Sequence, residues 1–213
     1  MKKYFLLISS ILSIWITTFF VFLPLAWKSQ ADISDMYQTI ITPAWFTFSI
    51  WSIIYLSWFI LWIYLINKKD NLPKKKSIII LWIAELLSAI WIIPWNYEFL
   101  WISFILILSI LIMLFYISMK NQKDLVFKNT LNLYLWWILV ATIANLHVLL
   151  MYYNIYDYKI IIWVISIAIW ASINYFLYKK YWYIISSLVF IWALIWIISN
   201  QSDNYIIISS VLS

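Results

Sequence analysis

The chain has 213 residues, of which 67% are hydrophobic and 10% charged, and its mean hydropathy is +0.95. An ordinary soluble domain is about half apolar and about a quarter charged, so a soluble globule, a disordered chain and a collagen-like repeat are excluded. The formal charge of +6 does not describe a nucleic-acid binder, because the lysines stand in short clusters between apolar runs.

A helix needs roughly 20 apolar residues to cross the hydrocarbon core. Seven segments meet or approach that length: 4–26, 44–66, 77–93, 99–118, 131–153, 159–177 and 182–199. They are apolar all round rather than alternating, which predicts helices and not a β-barrel. The first run follows Met1-Lys2-Lys3 and is longer than the h-region of a signal peptide, so an uncleaved first span is expected. Between the first two spans, Thr42 is expected to cap the second helix, with Pro43 at its first position. The third span is expected to end at Pro94 and to form a tight hairpin with the fourth. The run 205–212 is too short to span and is placed at the interface.

The lysines set an orientation. With the N-terminus in the cytoplasm, the inner segments hold twelve: Lys2, Lys3, Lys68, Lys69, Lys74, Lys75, Lys76, Lys120, Lys123, Lys128, Lys179 and Lys180. The outer segments hold two, Lys28 and Lys159, beside Asp32, Asp35, Glu98, Asp157 and Asp203. This is a positive-inside bias, and it alternates correctly only with seven spans. The reading is an all-α integral membrane helical bundle in the cytoplasmic membrane, N-terminus inside and C-terminus outside. Its partners are the lipid bilayer and no nucleic acid.

Much chemistry is missing. There is no Cys, hence no thiolate nucleophile, disulfide or Cys-ligated metal, and one His, His147, which excludes a multi-His metal site. With no Gly there is no phosphate loop, dinucleotide fingerprint or nucleophile elbow. No span carries paired carboxylates. Glu85 and His147 are the ionisable groups within the spans, and an intramembrane carboxylate is a functional candidate by default. An enzyme is not expected, and neither a metal nor a resident cofactor is.

Three stretches carry a resemblance. Pro43, Phe48, Trp51 and Tyr55 form a Pro-x-x-x-x-Phe-x-x-Trp-x-x-x-Tyr run opening the second span. Trp95-Asn96-Tyr97-Glu98 is an aromatic turn between the third and fourth. Trp137, Ala141 and Asn145 form a Trp-x-x-x-Ala-x-x-x-Asn run in the fifth. Together they resemble the TspO/MBR family of tryptophan-rich sensory proteins, over residues 4–153. The resemblance implies a five-helix membrane core (1–153), two additional transmembrane helices (154–199) and a short extracytoplasmic tail (200–213). It implies a receptor, sensor or carrier for a hydrophobic planar ligand such as a porphyrin or other tetrapyrrole, held within the bundle, and it leaves a homodimer open. The matching ligand-binding residues are Trp51, Tyr55, Trp95, Trp137, Ala141 and Asn145. The family often has an Asn on the third helix where this chain reads Ser88-Ala89.

The spacing agrees with such a pocket. Trp51 and Tyr55 share a helix face, as do Trp137, Ala141 and Asn145. Rings can stack on a flat ligand, and an amide can hold its polar edge. Plain packing of the rings and an interhelical hydrogen bond from Asn145 are the competing readings. His147 lies about 200° round the helix from Asn145 and points away from that face. A small secondary transporter built around Glu85 and a structural membrane subunit are the rival functions.

The composition of 17 Trp and 0 Gly is unusual. Trp27, Trp45, Trp136 and Trp196 stand where the resembled family commonly has Gly. The expectation is that many of these tryptophans are UGA codons read as glycine in the source; UGG at positions 27, 45 and 136 would end it.

Overall fold

The computed structural model describes residues 3–22, 27–39, 41–68, 72–120, 123–155, 159–181 and 184–200. Among these, eight α-helices follow one another: α1 (Lys3–Phe22), α2 (Gln30–Met36), α3 (Ile50–Asn67), α4 (Lys75–Asn96), α5 (Leu100–Ser118), α6 (Leu125–Tyr152), α7 (Lys159–Tyr181) and α8 (Ile184–Asn200). A 3₁₀ turn, Trp45–Ser49, leads into α3, and no described residue is in a strand. Helices satisfy their own backbone groups, which is what an apolar surrounding demands.

Four helical segments are long and apolar enough to cross a membrane: Trp45–Asn67, Lys75–Asn96, Leu100–Ser118 and Leu125–Tyr152. The other three expected spans correspond to α1, α7 and α8, whose described apolar stretches are shorter: Ser10–Phe19, Val164–Ile173 and Ser187–Ser199. The expectations for residues 1–2, 23–26, 69, 156–158, 182 and 201–213, and for the side chain of Trp196, lie outside the described residues.

α4 packs on α5, α5 on α6, α1 on α3 and α4, and α3 on α6. α8 lies against α6, with α7 against α8. The interior is filled by rings: Trp58 and Trp62 of α3 and Tyr134 and Trp136 of α6 are all buried. Outward faces are apolar as well; Ile105 and Ile112 of α5 are exposed, as expected where the surroundings are lipid.

Local chemistry sets the helix ends. Ser29 opens α2 with a capping box: its Oγ accepts from Asp32 N–H at 3.1 Å, and its own N–H donates to Asp32 Oδ2 at 2.6 Å. Asp124 caps α6 by accepting from Phe127 N–H at 2.9 Å. Burial pushes the Asp124 carboxyl up, but hydrogen bonds from Lys68 and Phe127 outweigh it and hold the group below 3.8. α4 and α6 both end in a Schellman arrangement with a left-handed residue, Glu98 (φ 59°) and Asn154 (φ 57°). Phe99 N–H reaches Pro94 O at 2.8 Å, and Ile155 N–H reaches Leu150 O at 3.0 Å. Glycine usually takes such positions; this chain uses an acid and an amide.

Three local expectations need correction. Thr42 does not cap the second span: its Oγ1 accepts from Thr39 N–H at 2.7 Å, and the 3₁₀ turn opens at Trp45 behind Ala44, which makes no side-chain cap. Pro43 therefore precedes the helix. The third span does not end at Pro94 but runs to Asn96: the proline removes the one bond to Ile90 O, and Tyr97 N–H to Ile93 O at 3.1 Å and Phe99 N–H to Pro94 O at 2.8 Å close the turn beyond it. The fifth span begins at Leu125, not at 131, where Asp124 supplies the cap.

Trp27 also adopts the left-handed region (φ 60°) and is 93% exposed. A bulky residue is strained there. Of the other positions where the resembled family has Gly, Trp45 is exposed and Trp136 is fully buried with no partner for its indole N–H.

Candidate functional site: an aromatic cleft beside α2

Trp51 and Tyr55 lie one turn apart on α3, and their rings stack with centroids 5.6 Å apart and planes 27° apart. Trp137 of α6 meets Trp51 edge-on at 6.2 Å. Phe48, on the 3₁₀ turn, meets Trp137 at 6.5 Å, and Tyr134 meets Trp51 at 6.3 Å. Ring edges carry positive charge and ring faces negative charge, so these T-shaped contacts hold the cluster in one geometry.

A cavity of about 340 Å³ opens beside the stacked pair, lined by Thr18 of α1, Ser29 and Gln30 at the start of α2, and Phe48, Trp51 and Tyr55. Its size is at the small end of the roughly 300–1,000 Å³ of ligand clefts. It lies at the α2 end of the molecule and not at the centre, where Trp58, Trp62, Tyr134 and Trp136 fill the space.

The expected site residues divide into three groups. Trp51 and Tyr55 line the cleft, and Trp137 is buried behind Trp51. Trp95 is also buried; its Nε1 donates to Gln30 O at 3.2 Å, so it anchors the cleft wall from behind. Asn145 is directed elsewhere. Its Nδ2 donates to Ser103 Oγ of α5 at 2.8 Å, while its Oδ1 is buried without a partner. Ala141 is half-buried and does not line the cleft.

Glu85 and His147 are both buried, apart from the cleft. The Ser10 hydroxyl of α1 and the Trp62 indole N–H of α3 (3.2 Å) donate to the Glu85 carboxyl. Beside it, Ser88 and Tyr134 share a hydrogen bond, and Tyr134 OH donates to Ala84 O at 3.0 Å. The Ser88 position noted in the sequence thus joins α4 to α6. His147 Nε2 has no partner. Among the described residues no group of three His, Asp or Glu could hold a metal ion.

A clasp fixes the cleft wall. Lys28 pairs with Glu98 across 70 positions, and Tyr37 OH donates to the same carboxylate. Asn96 Nδ2 donates to Lys28 O at 2.9 Å. The hydrogen bond from Lys28 and then that from Tyr37 lower the Glu98 pKa below 4.5, against a smaller opposing effect of burial. Burial, with the Glu98 hydrogen bond second, raises the Tyr37 phenol.

Sequence reasoning missed Tyr134, Ser103 and Gln30. Tyr134 was within reach, since it precedes Trp137 by three positions and shares its face. Ser103 and Gln30 carried no local signal, because their partners are 42 and 65 positions away.

Stacked rings beside a small cleft, on a bundle of long apolar helices, define a helical membrane protein with an aromatic cavity. The chain belongs to the TSPO-like protein family, whose sequence profile matches residues 3–213. The match takes in every described helix from α1 to α8. No curated protein and no solved structure matches the chain.

Proposed function

We propose that this protein is a cytoplasmic-membrane receptor or carrier that binds a hydrophobic planar ligand, such as a porphyrin, against Trp51 and Tyr55. In this reading the chain crosses the bilayer seven times, N-terminus inside, which the lysine distribution supports. The observation that carries the reading is the stacked Trp51–Tyr55 pair lining the cleft. A flat ligand extends that stack, and no covalent step is involved. Trp137 backs the wall from behind Trp51.

The test is quenching of tryptophan fluorescence by protoporphyrin in the detergent-solubilised protein. Saturable quenching is expected, weakened several-fold in Trp51→Leu and in Tyr55→Leu. Equal affinity in both variants and the parent would overturn the assignment. Glu85 favours a second reading, proton-coupled transport, because it is a buried carboxyl with hydroxyl and indole donors.

A further inference from the structure

A second cavity, of about 280 Å³, lies between the five-span part and the two additional helices. Thr47 lines it from the 3₁₀ turn, Val140 and Ala144 from α6, Trp170 from α7, and Phe190 and Ala193 from α8. None of these residues lines the cleft beside α2. The small side chains at Ala144 and Ala193 leave the space open, and Phe190 meets the Trp170 ring edge-on.

Two of the lining residues carry a buried polar atom without a hydrogen bond. Thr47 is 0% exposed and Trp170 is 4% exposed, and Thr47 Oγ1 and Trp170 Nε1 are both buried without a hydrogen bond. Buried polar groups are normally satisfied, so two orphans on one cavity are a signal. The Ser166 hydroxyl, also on the lining, is already engaged with Ile162 O at 2.7 Å. Indole N–H only donates, and a hydroxyl can donate. A carbonyl oxygen, with two lone pairs, can accept two such hydrogen bonds. Among the described residues no charged side chain lines the cavity, which points to a neutral ligand.

We propose that this cavity binds a neutral, membrane-dissolved carbonyl compound, its oxygen held by Thr47 and Trp170 and its apolar body against Val140, Ala144, Phe190 and Ala193. The volume selects a molecule smaller than an ordinary drug-sized ligand. The site exists only because α7 and α8 pack outside the five-span part, and it does not depend on the porphyrin reading.

The experiment uses the full chain in lipid nanodiscs with geranylacetone carrying a ¹³C-labelled carbonyl, read by infrared spectroscopy. A saturable band is expected at lower frequency than that of the ketone in protein-free nanodiscs. Thr47→Val and Trp170→Phe should each weaken binding about fivefold and shift the band back, as loss of one hydrogen bond requires. Ala144→Leu, which fills the space and keeps both donors, should abolish the band. Trp101→Phe, on an exposed face of α5, should change nothing. Circular dichroism and the unfolding midpoint verify that each variant folds. Absence of a saturable shifted band, an unchanged band in folded Thr47→Val and Trp170→Phe, or equal competition by 2,6-dimethyloctane, which has no carbonyl, would overturn the proposal.

Discussion

The Asn145 amide donates to the Ser103 hydroxyl at 2.8 Å, which joins α6 to α5 at a point where both side chains are buried. Such a bond between membrane helices contributes about 0.6 kcal/mol. Asn145→Leu and Ser103→Ala should each lower stability by about that amount. The double variant should lose no more than one of them, as measured by thermal unfolding in detergent. Additive losses would show that the two side chains do not interact.

Glu98 predicts a pH dependence. Its folded pKa lies below 4.5 because Lys28 and Tyr37 donate to the charged form. A depressed carboxyl stabilises the fold above its unfolded pKa, and that stabilisation is lost as pH falls through the folded value. The protein should hold this contribution at neutral pH and lose it below the ordinary glutamate range. The pair is partly exposed, with side chains 34% and 26% accessible, so its worth is about 0.5 kcal/mol. In Glu98→Gln the acid-dependent part of the midpoint should flatten. Because Ser29 and Gln30 line the cleft next to Lys28, porphyrin should also dissociate faster in stopped-flow traces. An unchanged acid slope in the variant would refute the assignment.

Trp27 offers a test in the opposite direction. Its left-handed backbone costs a residue with a Cβ about 1–2 kcal/mol, and its ring is almost wholly exposed. Trp27→Gly should therefore stabilise the protein by about 1 kcal/mol, partly offset by the freedom glycine gains when unfolded. A lower midpoint in Trp27→Gly would mean that the ring makes an important contact. Glu98→Gly relieves the same kind of strain but loses the clasp, so its net effect should be near zero.

Glu85 separates the two functional readings. Glu85→Gln keeps an acceptor for Trp62 and Ser10, and should fold and bind porphyrin like the parent. Glu85→Leu leaves a buried hydroxyl and an indole N–H without partners, a loss of about 1–3 kcal/mol in unfolding experiments. Proton-coupled solute uptake by reconstituted protein that disappears in Glu85→Gln would replace binding with transport as the function.

The helical class and the pairing of Trp51 with Tyr55 were legible because both depend on local periodicity. So was the α4–α5 hairpin, although Pro94 misplaced its start: a proline signals the coming end of a helix, not the last residue. The wall of the cleft was harder to read. α2 is a short polar helix inside a loop, marked only by Ser29 and Asp32, and its position depends on Trp95, Asn96 and Glu98 from far along the chain. Asn145 was read for its chemistry, and the structure supplies a neighbour in Ser103 that spacing could not reveal.

Glu98 holds two offices at once. It reverses the chain between α4 and α5 and supplies the counter-ion that fastens the Lys28 strap. Glycine would turn the corner with less strain but could fasten nothing. Substitution there cannot improve the bend without loosening the strap, so geometry and grip must be traded against each other at a single side chain.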